Sequence, residues 1–400
     1  MATAAAVLAA LIVLIEKPPA LPDHLTLARA EFRDLPGWTA DKPAPALMAL
    51  RRSCTRFAGL ADDTMIGRDG IGGQARDWQA PCAAAAGVLP DDDTAARQFF
   101  ERWFVPFLAG NNDKPDGLFT GYYEPELKGA RVRDGRFTVP LYARPADLVT
   151  VDLGLFREDW RGTNIAGRVQ QGALRPYPTR AEITAGALKS LRRADGGPLE
   201  LVWVDDAVDA FFLEIQGSGR VVLDDGSLMR VGYAASNGRP YLAIGRELIA
   251  RGALTREEAT APGIRAWLAA HPAEAPEVMN RNTSYVFFRA LPPPRSPDDG
   301  PPGAQSVPLT PGRSLAVDRA FLALGLPIWL DADDPLIAGA RLQRLMIAQD
   351  TGGAIRGPVR GDVFWGHGPE AAQRAGVMRS AGRYWIFLPR DAAARRAATS

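Results

Sequence analysis

A chain of 400 residues is more than one hydrophobic core ordinarily holds, so two domains are expected. Lys+Arg 47 against Asp+Glu 46 leaves a net charge of +1, which supplies no basic face for nucleic acid and excludes that class of partner. Forty glycines and 33 prolines, spread along the chain, argue for many turns between short strands and against a helical bundle.

The first segment, MATAAAVLAALIVLIEKPPALP, carries an apolar run from Ala2 to Ile15. The run is shorter than the roughly 20 residues of a membrane span. Residues 1–20 therefore read as a secretory signal or a short N-terminal anchor, although no basic residue precedes the run and no lipidatable cysteine follows it. Export to the periplasm is expected, with attachment to the membrane through the N-terminus left open. The two cysteines, Cys54 and Cys82, form no CxxC, which excludes a thiolate zinc site. In an exported chain they could form a disulfide; the alternative is two buried thiols.

Residues 24–109 read as mostly helical. Apolar positions recur at helical spacing in LMALRRSCTRFAGLA and in DDDTAARQFFERWFVPFLAG, the latter with Asp93 as candidate N-cap. From about residue 115, GLFTGYYEPELKGARVRDGRFTVPLYARP breaks aromatic and β-branched runs with glycine and proline, and RDGRF resembles a hairpin turn. PTRAEITAGAL predicts a short helix capped by Thr179, with Glu182 three residues on. VDAFFLEIQGSGRVVLDDGSLMRVGYAAS predicts a strand, a tight Gly-Ser-Gly turn, a strand, an Asp-Gly hairpin and a strand. A helix from about Tyr241 to Ile249 follows, and one or two more lie between 255 and 280. SYVFFRAL reads as a strand, and LPPPRSPDDGPPG as a loop too polar and stiff for a core. Short strands then alternate with turns from Ser306 onward, the pattern of a small β-barrel.

Chemistry-bearing motifs are few. QGSGR holds a lone G-x-G without the third glycine or a following helix, so a turn explains it better than phosphate binding. No two of His24, His271 and His367 stand at i, i+4, and no G-x-S-x-G elbow is present. No metal or cofactor is expected. Carboxylates remain. Cleavage of a glycosidic bond needs an acid whose surroundings hold its proton. In QDTGGAIRGPVRGDVFWGHG, Asp362 has Val363, Phe364 and Trp365 as an apolar wall, and Gly361 and Gly366 would let a polymer approach closely. Asp350 before Thr-Gly-Gly fits a turn residue equally well.

The stretch RLMIAQDTGGAIRGPVRGDVFWGHGPEAAQRAG resembles the three-aspartate domain of murein-acting proteins, with Asp318 in SLAVDRA as the third aspartate. FTGYYEP, PTRAEITAGAL, AFFLEIQGSGRVVLDDGS…GYAASNGRPYLAIGRELIARG and NTSYVFFR, in this order over most of residues 115–390, resemble the membrane-bound lytic murein transglycosylase A family. The resemblance implies an α+β, mainly β fold: a double-psi β-barrel with a second β-rich domain inserted in it. Residues 21–125 would form the helical segment and the first part of the barrel. The insert would be 126–284, and 285–400 the barrel's remainder.

It further implies peptidoglycan glycan strands as substrate and a single catalytic aspartate, Asp362, which protonates the bond between N-acetylmuramic acid and N-acetylglucosamine. A 1,6-anhydromuramoyl end results. Asp350, Asp318, Thr120, Tyr122, Tyr123, Gln216, Ser218 and Trp365 are then supporting or sugar-contacting candidates. Glu124 stands where an uncharged residue is expected after the paired tyrosines. Were it to face the groove, a two-carboxylate hydrolase would be the alternative. A non-catalytic glycan-binding barrel is the third reading.

Overall fold

The computed structural model describes residues 22–160, 163–294, 296 and 299–399; the candidate signal over 1–20 lies outside the described residues. The N-terminal segment is helical only in its middle. Strand β1 (Leu25–Arg29) leads into helices α1 (Ala44–Phe57), α2 (Arg76–Ala86) and α3 (Asp93–Trp103), and the chain then turns directly into β2 (Phe104–Asn111), which pairs antiparallel with β1. The expected helical pattern stops at Trp103 because Pro106 follows. Proline disfavours continuation of a helix, and it drives Val105 into extended backbone. The N-cap of α3 is Asp92, which accepts from the Ala95 N–H, one residue ahead of the expected cap. Asp93 instead accepts from Ala44 N–H and ties α3 to α1. A disulfide between Cys54 and Cys82 joins α1 to α2.

After β3 (Gly117–Glu124) the chain passes through Pro125 into a second body. Its strands and helices follow in the order β4 (Glu126–Ala130), β5 (Val139–Tyr142), β6 (Val149–Asp152), β7 (Asn164–Gln170), β8 (Ala173–Pro176), α4 (Arg180–Thr184), β9 (Glu200–Val204), α5 (Ala207–Gln216), β10 (Ser218–Leu223), β11 (Leu228–Ser236), α6 (Ile244–Ala250), α7 (Ala261–Ala270), α8 (Ala275–Arg281) and β12 (Val286–Leu291). Six of the strands form one sheet in the order β12-β11-β10-β4-β9-β5, and β6-β7-β8 form a small sheet beside it. The Thr179–Glu182 capping box and the Asp225-Gly226 hairpin are as expected.

Two expectations fail here. RDGRF does make a turn, with Asp134 accepting from the N–H groups of Arg136 and Phe137. Its flanking strands do not pair with each other, because β9 lies between β4 and β5. AFFLEIQ is helix α5 rather than a strand. Asp206 caps it by accepting from Val208 and Asp209 N–H, and Gly217 ends it at φ 77°. Its apolar run shows no helical stripe because the helix is buried on two sides. Ala210 and Leu213 pack on the six-stranded sheet, and Phe211 and Phe212 on α6 and α8.

The chain then returns to the first body with β13 (Ser314–Val317), β14 (Pro327–Asp333), β15 (Arg341–Asp350), β16 (Arg360–His367), α9 (Pro369–Val377), β17 (Arg379–Pro389) and α10 (Arg390–Thr399). The strands run β17-β14-β15-β13-β16-β3, and β3 pairs back onto β17, so six strands close into a barrel. Closure is made by one long strand: residues 379–382 of β17 pair with β3 and residues 385–389 with β2. Leu315, Val317, Leu345, Ile347, Val363, Tyr384 and Ile386 belong to a single buried cluster that continues into the N-terminal helices. The loop LPPPRSPDDGPPG is not wholly superficial. Asp299, Gly300 and Pro301 are buried, and Asp299 pairs with Arg52 of α1 at 2.5 Å.

Candidate active site

Barrel, insert and the N-terminal helices share a groove of about 1930 Å³. Asp362 lines it from the middle of β16. Parallel pairing of β16 with β3 sets Asp362 against Thr120 and Phe364 against Tyr122, so these four side chains share one face. Thr120 Oγ1 donates to Asp362 Oδ1 at 2.5 Å and accepts from Arg360 Nη2 at 2.8 Å. A guanidinium can only donate, so the single threonine proton must point at the aspartate. Oδ1 is thereby kept as an acceptor, and a proton on Asp362 belongs on Oδ2. Burial pushes the Asp362 carboxyl up to about 6, against the Thr120 hydrogen bond and the Arg360 charge; the Asp350 charge adds to the rise.

Asp350, at the end of β15, also lines the groove, but both of its oxygens are engaged. Oδ2 accepts from the Tyr122 hydroxyl at 2.7 Å and Oδ1 from Ala304 N–H at 2.9 Å. Burial raises its carboxyl, and burial beside Asp350 raises the Tyr122 phenol. Asp318 is buried and binds loops, accepting from Ala320 N–H at 3.0 Å and from Gly357 N–H at 2.8 Å. Gln216 and Ser218 line the groove from the insert, and Gln216 Oε1 accepts from Tyr123 N–H at 3.0 Å, fastening α5 to β3.

Four residues weighed from the sequence sit elsewhere. Trp365 points to the opposite face of β16 from Asp362 and is only 9% exposed, beneath the guanidinium groups of Arg344 and Arg374. It belongs to the barrel core and not to a sugar platform, as strand alternation from Asp362 dictates. Tyr123 is half-buried against the same core and is not part of the groove lining. Glu124 is fully buried, bound by Arg220 at 3.1 Å and Arg230 at 3.0 Å where the chain crosses from barrel to insert. His367 is exposed at the end of β16, outside the groove.

The glycines also act differently from expectation. A Cβ at Gly361 would meet Leu315 and Phe119 at 3.0–3.1 Å, and one at Gly366 would meet Pro311 at 3.0 Å, so both serve barrel packing. The open positions are in the loop after Asp350, where Gly353 has nothing within 4 Å. Sequence reasoning missed Arg360, although an arginine two residues before Asp362 on a strand must share its face. It also missed Arg319 and Arg356, each adjacent in sequence to a loop that Asp318 binds. Among the described residues no group of three His, Cys, Asp or Glu is placed to hold a metal ion.

A barrel split by a sheet-rich body, with the Asp362 carboxyl on the groove between them, matches the build that the resemblance to lytic transglycosylases implies. Residues 118–289 match the family model described as the MltA specific insert domain, and residues 313–388 match the 3D domain. The membrane-bound lytic murein transglycosylase A of Vibrio cholerae is 34% identical over 288 residues, covering 70% of this chain and 67% of that protein. The crystal structure of a membrane-bound lytic murein transglycosylase from Agrobacterium tumefaciens superposes with a TM-score of 0.79 at 36% identity, over 92% of this chain and 99% of that one. Escherichia coli MltA with bound chitohexaose gives a TM-score of 0.61 at 28% identity, over 91% of each chain. The chain belongs to the membrane-bound lytic murein transglycosylase A family.

Proposed function

We propose that the protein cleaves the bond between N-acetylmuramic acid and N-acetylglucosamine in peptidoglycan, leaves 1,6-anhydromuramoyl ends, and uses Asp362 as its only acid and base. The observation that carries this reading is the state of Asp362: a carboxyl on the groove, raised to about 6 by burial, with Oδ2 free of any hydrogen bond among the described residues. Asp362 gives its proton to the glycosidic oxygen as the bond from that oxygen to the anomeric carbon breaks. The resulting carboxylate takes the proton of the muramic acid 6-hydroxyl, whose oxygen bonds to the same anomeric carbon. Acid and base are restored in one turnover and no water is consumed. The nucleophile is part of the substrate, so its effective concentration stands in for a second carboxylate.

The surroundings favour one carboxyl over two. Asp350 is held by Tyr122 and Ala304, and Glu124 is closed in an arginine clamp, so neither stands free to position a water. In this reading the unit 126–284, extended by β12 of the same sheet, forms one wall of the groove, and Thr120, Tyr122, Gln216 and Ser218 contact the glycan. Export through the N-terminal segment agrees with the disulfide, a bond of oxidising compartments. The test is mass spectrometry of sacculi digested by wild type and by Asp362→Asn. Anhydro ends from wild type only are expected. Reducing ends would establish a hydrolase, and equal turnover by the variant would remove Asp362 from the chemistry.

A further inference from the structure

Arg360 is costly where it stands. It lines the groove two places before Asp362 on β16, so both side chains share a face. It is half-buried, yet among the described residues its hydrogen bonds all go to uncharged oxygens. Nη1 donates to Leu118 O at 3.2 Å and to Gly361 O, and Nη2 donates to Thr120 Oγ1 at 2.8 Å. Leu118 lies on β3 and Gly361 on β16, so the guanidinium bridges the two strands that carry Thr120 and Asp362. Burial lowers this guanidinium, and the Asp362 charge works against that. A cation so placed, reaching a carboxylate only through a hydroxyl, needs a reason.

The hydroxyl supplies it. Thr120 Oγ1 has one proton and two lone pairs. With Arg360 in place, its oxygen end faces the cation and its proton faces Asp362 Oδ1. Without Arg360 the hydroxyl is free to turn and accept from Oδ1–H, which would hold the acid's proton on Thr120 and away from a glycosidic oxygen. The other groups around Asp362 do not fill this part. Tyr122 on β3 and Asp350 on β15 are bound to each other. β13 sets uncharged Ala316 opposite Asp362, and the insert brings the neutral Gln216 and Ser218 to the groove. Arg379 of β17 stands opposite Thr120 but is exposed and outside the groove lining, and Arg356 lies by Asp318 at 4.0 Å.

We propose that Arg360 is a positioning residue that acts on Asp362 through Thr120: it turns the threonine proton to Oδ1, so that the proton Asp362 gives up stays on Oδ2, the oxygen left open for substrate. The inference rests on Asp362 being the acid. It also bears on how one carboxyl serves twice. Burial favours the neutral acid, and the Arg360 charge favours the carboxylate that must act as base.

The test is kcat and KM against pH on solubilised glycan strands, for wild type, Arg360→Met, Arg360→Lys, Thr120→Val and Thr120→Val/Arg360→Met, with Asp362→Asn as control. Arg360→Met should lower kcat about tenfold with little change in KM. Its falling limb of kcat/KM should move to higher pH, because a charge that favours the carboxylate is gone; lost packing alone would leave the limb in place. Arg360→Lys keeps the charge but not the planar fork, so the limb should stay while kcat falls. In Thr120→Val the relay is already cut, and adding Arg360→Met should lower kcat by no more than about twofold. An unchanged kcat or an unmoved limb in Arg360→Met overturns the proposal, and so do losses that multiply in full in the double variant. Should Arg360→Met fail to fold, Arg360→Lys carries the test: wild-type kcat, or a full further loss when combined with Thr120→Val, overturns it. Asp362→Asn as active as wild type overturns the single-aspartate reading instead.

Discussion

At the scale of single residues, the Asp362 carboxyl is held in a state that opposes stability. The folded form binds the Asp362 proton more tightly than an unfolded chain does, because its carboxyl is raised from the ordinary range near 3.8 to about 6. This contribution to stability is therefore full at low pH and is lost as pH rises through about 6. Above that pH the buried charge costs on the order of 3 kcal/mol. Asp362→Asn should raise the melting temperature at pH 7.5 and leave it nearly unchanged at pH 4. Activity should follow the same proton. kcat/KM should decline about tenfold per pH unit above about 6, since only the protonated free enzyme can serve as acid. Asp350→Asn should move that limb to lower pH, because the Asp350 charge helps Asp362 keep its proton. A limb in the same place for both proteins would show the two carboxyls to be uncoupled.

The residues that meet at this carboxyl were partly legible in the chain. Thr120, Tyr122 and Asp350 were reachable through motifs that recur together. Trp365 was misdirected by its nearness to Asp362, since three places along a strand is the opposite face.

At the scale of elements, strands buried on both faces were readable as short apolar runs, and β13 to β17 came out where the runs lie. Helix α5 was not, because a helix packed between two apolar layers loses its polar stripe and looks like a strand. Its caps, Asp206 and Gly217, were the missed signal. The early strand β1 is five residues long and gains its place only by pairing with β2, some 80 residues later. Helices α1 and α2 depend on their covalent link as well as on packing. Cys54 and Cys82 are 28 residues apart, and closing such a loop contributes about 3.5 kcal/mol in the chain-entropy model. Cys54→Ser/Cys82→Ser should lose roughly that amount in denaturant unfolding, and reductant should destabilise wild type but not the double variant.

At the scale of the whole molecule, the groove exists only while barrel and insert hold their relative position. The crossing at Glu124 bears on this directly, since its carboxylate in the barrel strand β3 binds arginines from β10 and β11 of the insert. Glu124→Gln leaves two buried cations without a counter-charge, and a loss of about 3–5 kcal/mol is expected. Thermal melting should report that loss, and limited proteolysis should show new cleavage near residues 124–126. A variant as stable as wild type would mean that the arginines find other partners and that the crossing is not what fixes the groove.

Barrel closure by β17 has a consequence for folding. Thr120 precedes Asp362 by 242 residues, and the strand that seals the ring, Arg379–Pro389, follows both. A copy cut short before Arg379 leaves β3 without one neighbour and β2 unjoined to the ring, so the frame around the Thr120–Asp362 pair stays open.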